Sequence, residues 1–137
     1  MIINNRNSRD IENISLHDAN FENVNYNHSE KTITINLENE EWGRNYNLVF
    51  HDVLYYEMTC CDFWGGGYNV ACWSKIDTTT IFDKLLRLEL VEKARSFSSK
   101  PSDYSFMDLS EFFGTSIQIN SGDRLKIICK KIEVSEF

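Results

Sequence analysis

Two dipeptides carry the residue types from which a reaction centre could be built. His17-Asp18 lies in the segment LHDA, and His51-Asp52 lies in FHDV. An imidazole beside a carboxylate is what a metal-dependent phosphohydrolase presents to its ions. That chemistry needs further ligands converging from other elements on one ion. The remaining histidine, His28, sits in the turn Asn27-His28-Ser29-Glu30. Neighbouring residues on a strand point to opposite faces, so neither dipeptide can easily offer both side chains to one ligand sphere. The spacing favours strand-edge or turn residues whose side chains bond the backbone. A small metal-dependent hydrolase using His17, Asp18, His51 and Asp52 is the alternative.

The four cysteines offer less. Cys60 and Cys61 are adjacent and diverge, Cys72 and Cys129 are isolated, and no C-x-x-C spacing occurs. Cys72 and Cys129 fall on apolar strand faces, where free cysteine behaves as a small hydrophobe. Cys61, beside Asp62, lacks the positive surroundings that activate a thiolate. No Ser-His-Asp order, catalytic carboxylate pair or cofactor fingerprint can be drawn without arbitrary choice. No catalytic residue, metal ligand or cofactor is assigned.

Trp64-Gly65-Gly66-Gly67-Tyr68 is the most unusual local feature. It is no phosphate loop, because no Lys-Ser/Thr and no G-x-G-x-x-G frame follows. One reading is a wide hairpin turn in which glycine supplies positive φ. The other makes Phe63, Trp64 and Tyr68 contact residues for a protein partner, since aromatic side chains anchor interfaces. Trp42, in another inter-strand loop, would join the same rim.

The elements that must position these residues are mostly strands. Thr115–Glu133 reads as two alternating strands joined by Asn120-Ser121-Gly122-Asp123, with Ile117, Ile119, Leu125, Ile127 and Cys129 on one face. Lys31–Glu38 is a clean half-buried strand with Ile33, Ile35 and Leu37 inward, and Tyr46, Leu48 and Phe50 share a face of the next. Phe21, Val24 and Tyr26 alternate imperfectly and require a bulge. VLYYEMTCC is apolar on both faces, so pairing past Asp52 continues through a bulge. Tyr68–Ile76 places Tyr68, Val70 and Cys72 together. Thr80-Ile81-Phe82-Asp83 resembles a capped helix start. Residues 84–96 alternate like a strand but are rich in helix formers, and the composition favours helix. Leu109–Phe113 suggests one short helical turn, and residues 1–12 a loose lead-in. These elements predict an α+β fold in a single domain over 1–137. It is an antiparallel twisted sheet of five to six strands with one main helix, in the order β-β-β-β-α-β-β. Leu125–Val134 is expected as a terminal strand at a sheet edge.

A chain of 137 residues buries enough surface to fold without disulfides or metal. Its formal charge of −7 repels a phosphate backbone, and its basic cluster (Lys126, Lys130, Lys131) is followed at once by Glu133 and Glu136. Nucleic-acid binding is disfavoured, whereas a basic protein partner suits an acidic surface. The start MIINNRNSRDIENISL has no apolar signal core, and no run is long enough to span a membrane. A cytoplasmic protein with reduced thiols is expected. Homo-oligomerisation through an edge strand is open.

LHDA at Leu16–Ala19, the F-H-D-V strand at Phe50–Val53 and the closing SGD-x-L-x-I-x-C-K-x-I-x-V at Ser121–Val134 resemble a group of small bacterial proteins of unknown function. Some of these look like immunity proteins encoded beside secreted or contact-delivered toxins. The resemblance covers most of the chain outside Thr78–Phe113 and implies a cytosolic protein that binds another protein. It implies no catalytic residues.

Overall fold

Alternation of β-branched and polar residues is expressed as nine strands in two antiparallel sheets among the described residues. The computed structural model describes residues 1–41, 43–59, 67–95 and 109–137. The strands are β1 (Ile2–Asn4), β2 (Asn20–Asn27), β3 (Thr32–Asn39), β4 (Arg44–His51) and β5 (Tyr55–Met58), then β6 (Val70–Ile76), β7 (Phe113–Ile119), β8 (Arg124–Cys129) and β9 (Lys131–Glu136). Between β6 and β7 runs the helix α1 (Thr79–Arg95), and 3-10 turns cover Ser8–Asn13 and Leu109–Glu111. One sheet has the order β1-β9-β4-β3-β2 and the other β5-β8-β7-β6.

The two sheets are joined through corners rather than loops. β8 runs into β9 across Lys130, whose N–H donates to His51 O at 3.2 Å. The partner strand turns at the same level. Asp52 takes φ 53°, and Leu54 N–H then donates to Ile128 O at 2.9 Å as β5 begins. On the far side the sheets meet again at the bridge Asn20↔Asn69. Phe21 N–H donates there to Tyr68 O, and Val70 N–H to Ala19 O.

One core fills the space between. Ile33, Ile35, Leu48 and Phe50 from the first sheet lie in the same buried cluster as Val70, Ile117, Leu125 and Ile127 from the second. Each fully buried side chain of this size contributes about 1.5–3 kcal/mol. The β7–β8 turn is fastened to the end of β5 by Asp123, whose carboxylate accepts from Thr59 Oγ1 at 2.7 Å and Ser121 Oγ at 2.9 Å.

The first turns of α1 approach the outer face of the second sheet, with Lys84 Nζ 5.9 Å from the centre of the Tyr55 ring. Ile128, on that outer face, is wholly buried. A Cβ at Gly114 would meet Thr78 Cγ2 at 2.7 Å and Ile76 Cγ1 at 2.9 Å, so the sheet needs glycine where the chain enters the helix. The helix start is fixed by Asp77, whose Oδ1 accepts from Thr79 N–H at 2.9 Å and Thr79 Oγ1 at 2.8 Å.

The antiparallel strands, the single main helix and the β7–β8 hairpin match the sequence expectations. Four readings are corrected. Nine strands, six before α1 and three after it, form two sheets around one core among the described residues, instead of five to six strands in one helix-covered sheet of order β-β-β-β-α-β-β. Residues 1–12 are no loose lead-in, because β1 pairs with β9 and Ile3 and Ile11 are wholly buried. Leu125–Val134 is no edge strand: β8 sits between β5 and β7, and β9 between β1 and β4. Finally, a register shift between Val70 and Cys72 turns Cys72 to solvent and Trp73 into the core.

Candidate functional site

The His-Asp dipeptides prove to be backbone devices. Asp18 has φ 64° and Asp52 φ 53°, a region that short polar side chains tolerate better than most. Each dipeptide is flanked by buried residues, Leu16 and Ala19 in one case, Phe50 and Val53 in the other. The echo LHDA/FHDV therefore encodes a similar local event, a positive-φ aspartate at a sharp bend between two core contacts.

Their side chains do not converge. His17 Nδ1 lies 2.9 Å from its neighbour Asp18 Oδ2, with both groups exposed. His51 Nε2 lies 3.2 Å from Glu133 Oε1 but is not aligned as a hydrogen bond. His17 lies just before Asn20, whose partner is Glu38, whereas His51 follows Phe50, whose partner is Ile33. Those β3 partners are separated by roughly 17 Å at about 3.3 Å per residue, so the histidines lie at opposite ends of the sheet. Among the described residues no group of three or more His, Cys, Asp or Glu is placed to hold a metal ion.

The perturbed titratable groups are not poised for catalysis. Burial pushes the Cys129 thiol up to about 12, so it is no thiolate near neutrality. Tyr55 is raised to about 12, chiefly by its 2.5 Å hydrogen bond to Glu57 and then by burial. The same bond holds Glu57 below the usual carboxylate range, with Lys126 and Lys84 adding to it. The C-terminal lysines are engaged with acids: Lys130 Nζ lies 3.3 Å from Glu111, Lys131 Nζ lies 3.3 Å from Glu133, and Lys126 pairs in register with Glu57. No free basic face arises from them.

What the fold does assemble is an acidic cleft where the sheets close on one another. Asn69 is its hub. The Asn69 amide donates to Asn20 Oδ1 at 2.7 Å and to Asp18 O at 3.2 Å, and its backbone O accepts from Asn120 N–H at 2.8 Å. These bonds draw together the turn before β2, the start of β6 and the β7–β8 turn. The β3–β4 turn completes the wall with Asn39, Glu40 and Glu41. The cleft encloses about 390 Å³ and is lined by Asp18, Glu40 and Glu41 with Asn20, Asn39, Asn69 and Asn120. Among the described residues no basic side chain is in that lining. A pocket for a small organic ligand is mostly apolar with a few polar groups, and this one is the reverse. Its carboxylates are not gathered into a metal-binding set, so they suit several separate cationic groups better than one ion.

Of the aromatic rim residues, Tyr68 is 59% exposed and immediately precedes Asn69, but it is not part of the cleft lining. Trp42, Phe63 and Trp64 lie outside the described residues. Sequence reasoning missed Glu40, Glu41 and the asparagines. The Glu40-Glu41-Trp42-Gly43 run was a visible signal, whereas Asn20, Asn69 and Asn120 acquire meaning only when three distant turns meet.

No protein-family model matches the sequence, and neither the curated proteins nor the solved structures gave a match. No helix among the described residues is long and apolar enough to cross a membrane.

Proposed function

We propose that this chain is a protein-binding module that docks a basic partner, of the kind an immunity protein makes with a toxin domain. The observation that carries the reading is the cleft at Asp18, Glu40 and Glu41, lined by carboxylates and carboxamides. The charge of −7 would steer a basic surface toward it. Carboxamides beside carboxylates give arginine and lysine side chains both charge and directional acceptors. The motifs at Leu16–Ala19, Phe50–Val53 and Ser121–Val134 support the same reading through their resemblance to immunity-like proteins, and it implies a cytoplasmic location. The hydrolase reading has less support, because its two histidines are at opposite ends of one sheet.

The experiment is a co-purification of this chain with the product of any adjacent toxin-like gene, repeated with Asp18→Asn, Glu40→Gln and Glu41→Gln combined. The parent should capture the basic domain and block its toxicity, and the triple variant should fold normally yet bind weakly. Equal capture by both proteins would place the interface elsewhere.

A further inference from the structure

The long unprotected edge of the first sheet is β2. β3 pairs along its length, but only its first residues meet β6, through Asn20↔Asn69 and the bond from Phe21 N–H to Tyr68 O. Beyond Phe21, no described residue pairs with the other edge, and Glu22 to Asn27 are all exposed. Sheets normally guard such an edge with brevity, charge or proline. The edges β1 and β5 are three and four residues long, and the β6 edge carries Lys75. β2 is eight residues long, and Asn23-Val24-Asn25-Tyr26-Asn27 contains neither a charge nor a proline.

Its side chains are also uncovered on the core side. Val24 and Tyr26 pair with the buried Ile35 and Ile33, so they face inward, yet they remain 38% and 36% exposed. Tyr56 at the rim of the second sheet touches Tyr26 with ring centres 4.7 Å apart and is itself 43% exposed. The apolar stripe along β2 thus runs to the edge without a neighbouring strand among the described residues to cover it.

We propose that β2 pairs antiparallel with β2 of a second copy of this chain, on a two-fold axis through Asn25. The sequence is self-complementary in that register. Asn25 faces Asn25, Val24 faces Tyr26, Asn23 faces Asn27, and Glu22 faces His28. An aromatic residue opposite a β-branched one is a favourable cross-strand pair. An acid opposite histidine is compatible with the pairing, and no like charges meet. The pairing satisfies the open backbone groups and joins two first sheets into one. Because the acidic cleft lies at the Asn20 end of β2, a partner of the kind proposed above still has access to it.

Sedimentation velocity from micromolar to submillimolar protein tests the pairing. The parent should show a dimer fraction that grows with concentration. Asn25→Lys and Asn25→Glu each set like charges face to face and should weaken the dimer about fivefold or more. An equimolar mixture of the two variants should recover it as a mixed dimer by native mass spectrometry. A parent that stays monomeric throughout overturns the proposal. So does a dimer that both variants leave unchanged, or a mixture that fails to reassociate. Should either variant misfold, amide exchange of the parent decides: Asn23–Asn27 should exchange more slowly as concentration rises, and concentration-independent rates overturn the pairing.

Discussion

Asp52 is where the chain leaves one sheet for the other, and its replacement tests whether the His-Asp dipeptides serve geometry or chemistry. At φ 53° an ordinary L-residue is held in a conformation costing about 1–2 kcal/mol. Asp52→Gly removes that cost, while glycine's extra freedom in the unfolded chain takes back roughly 0.5–1 kcal/mol. The glycine variant should therefore lie within about 1 kcal/mol of the parent. Asp52→Val forces a β-branched side chain into the same conformation and should lose about 1–3 kcal/mol. Val53 must still donate to Lys31 O, and Leu54 to Ile128 O, so the strain has no easy outlet. At roughly 3–5 °C per kcal/mol for a domain of this size, the valine variant should melt about 3–15 °C lower. Thermal denaturation followed by circular dichroism, with and without added zinc or manganese, is the assay. The reasoning is refuted if glycine is as damaging as valine, or if metal raises the melting temperature of the parent but not of the glycine variant.

Three further outcomes are expected. Gly114→Ala should destabilise by about 1–3 kcal/mol, because its methyl group meets Thr78 Cγ2 and Ile76 Cγ1; Thr78→Ser in the same chain should return part of the loss, measured by urea denaturation. Stability should fall as pH rises from about 9 toward 12, because Cys129 ionises near 9 when unfolded but stays a thiol in the fold until about 12; Cys129→Val should flatten that slope in melts taken across the range. Tyr68→Ala should leave the melting temperature nearly unchanged, because its ring is mostly in solvent, yet weaken capture of a basic partner by about 2 kcal/mol in calorimetry.

The parts of the fold legible in the sequence are those set by local alternation. β3, β4 and the β7–β8 hairpin announce themselves because Ile33-Ile35-Leu37 and Ile117-Ile119 repeat every second residue and glycine marks the turn. The irregularity between Phe21 and Asn23 was readable for the same reason, since Phe21, Val24 and Tyr26 break the period by one. What escaped depends on long-range placement. β1 is too short to show a period and exists because β9 offers it an edge. The corner at Lys130 has no glycine or proline to betray it, so β8 and β9 read as one strand. The shift after Val70 inverted the faces of Cys72 and Trp73, since one extra residue moves every later side chain to the other side. The site was legible only in fragments. The acids Glu40 and Glu41 and the exposed Tyr68 could be noticed, but nothing local says that Asn69 will tie their turns into one cleft.

The proposed docking role is tested most directly by mapping amide shifts of the isotope-labelled chain during titration with the basic domain of any adjacent toxin-like gene product. The largest changes should fall at Asp18, Asn20, Glu40, Glu41, Asn69 and Asn120, and weaken together as salt is raised. Saturable binding whose shifts fall instead on the outer face of the first sheet, leaving the Asn69 region unmoved, would contradict the account.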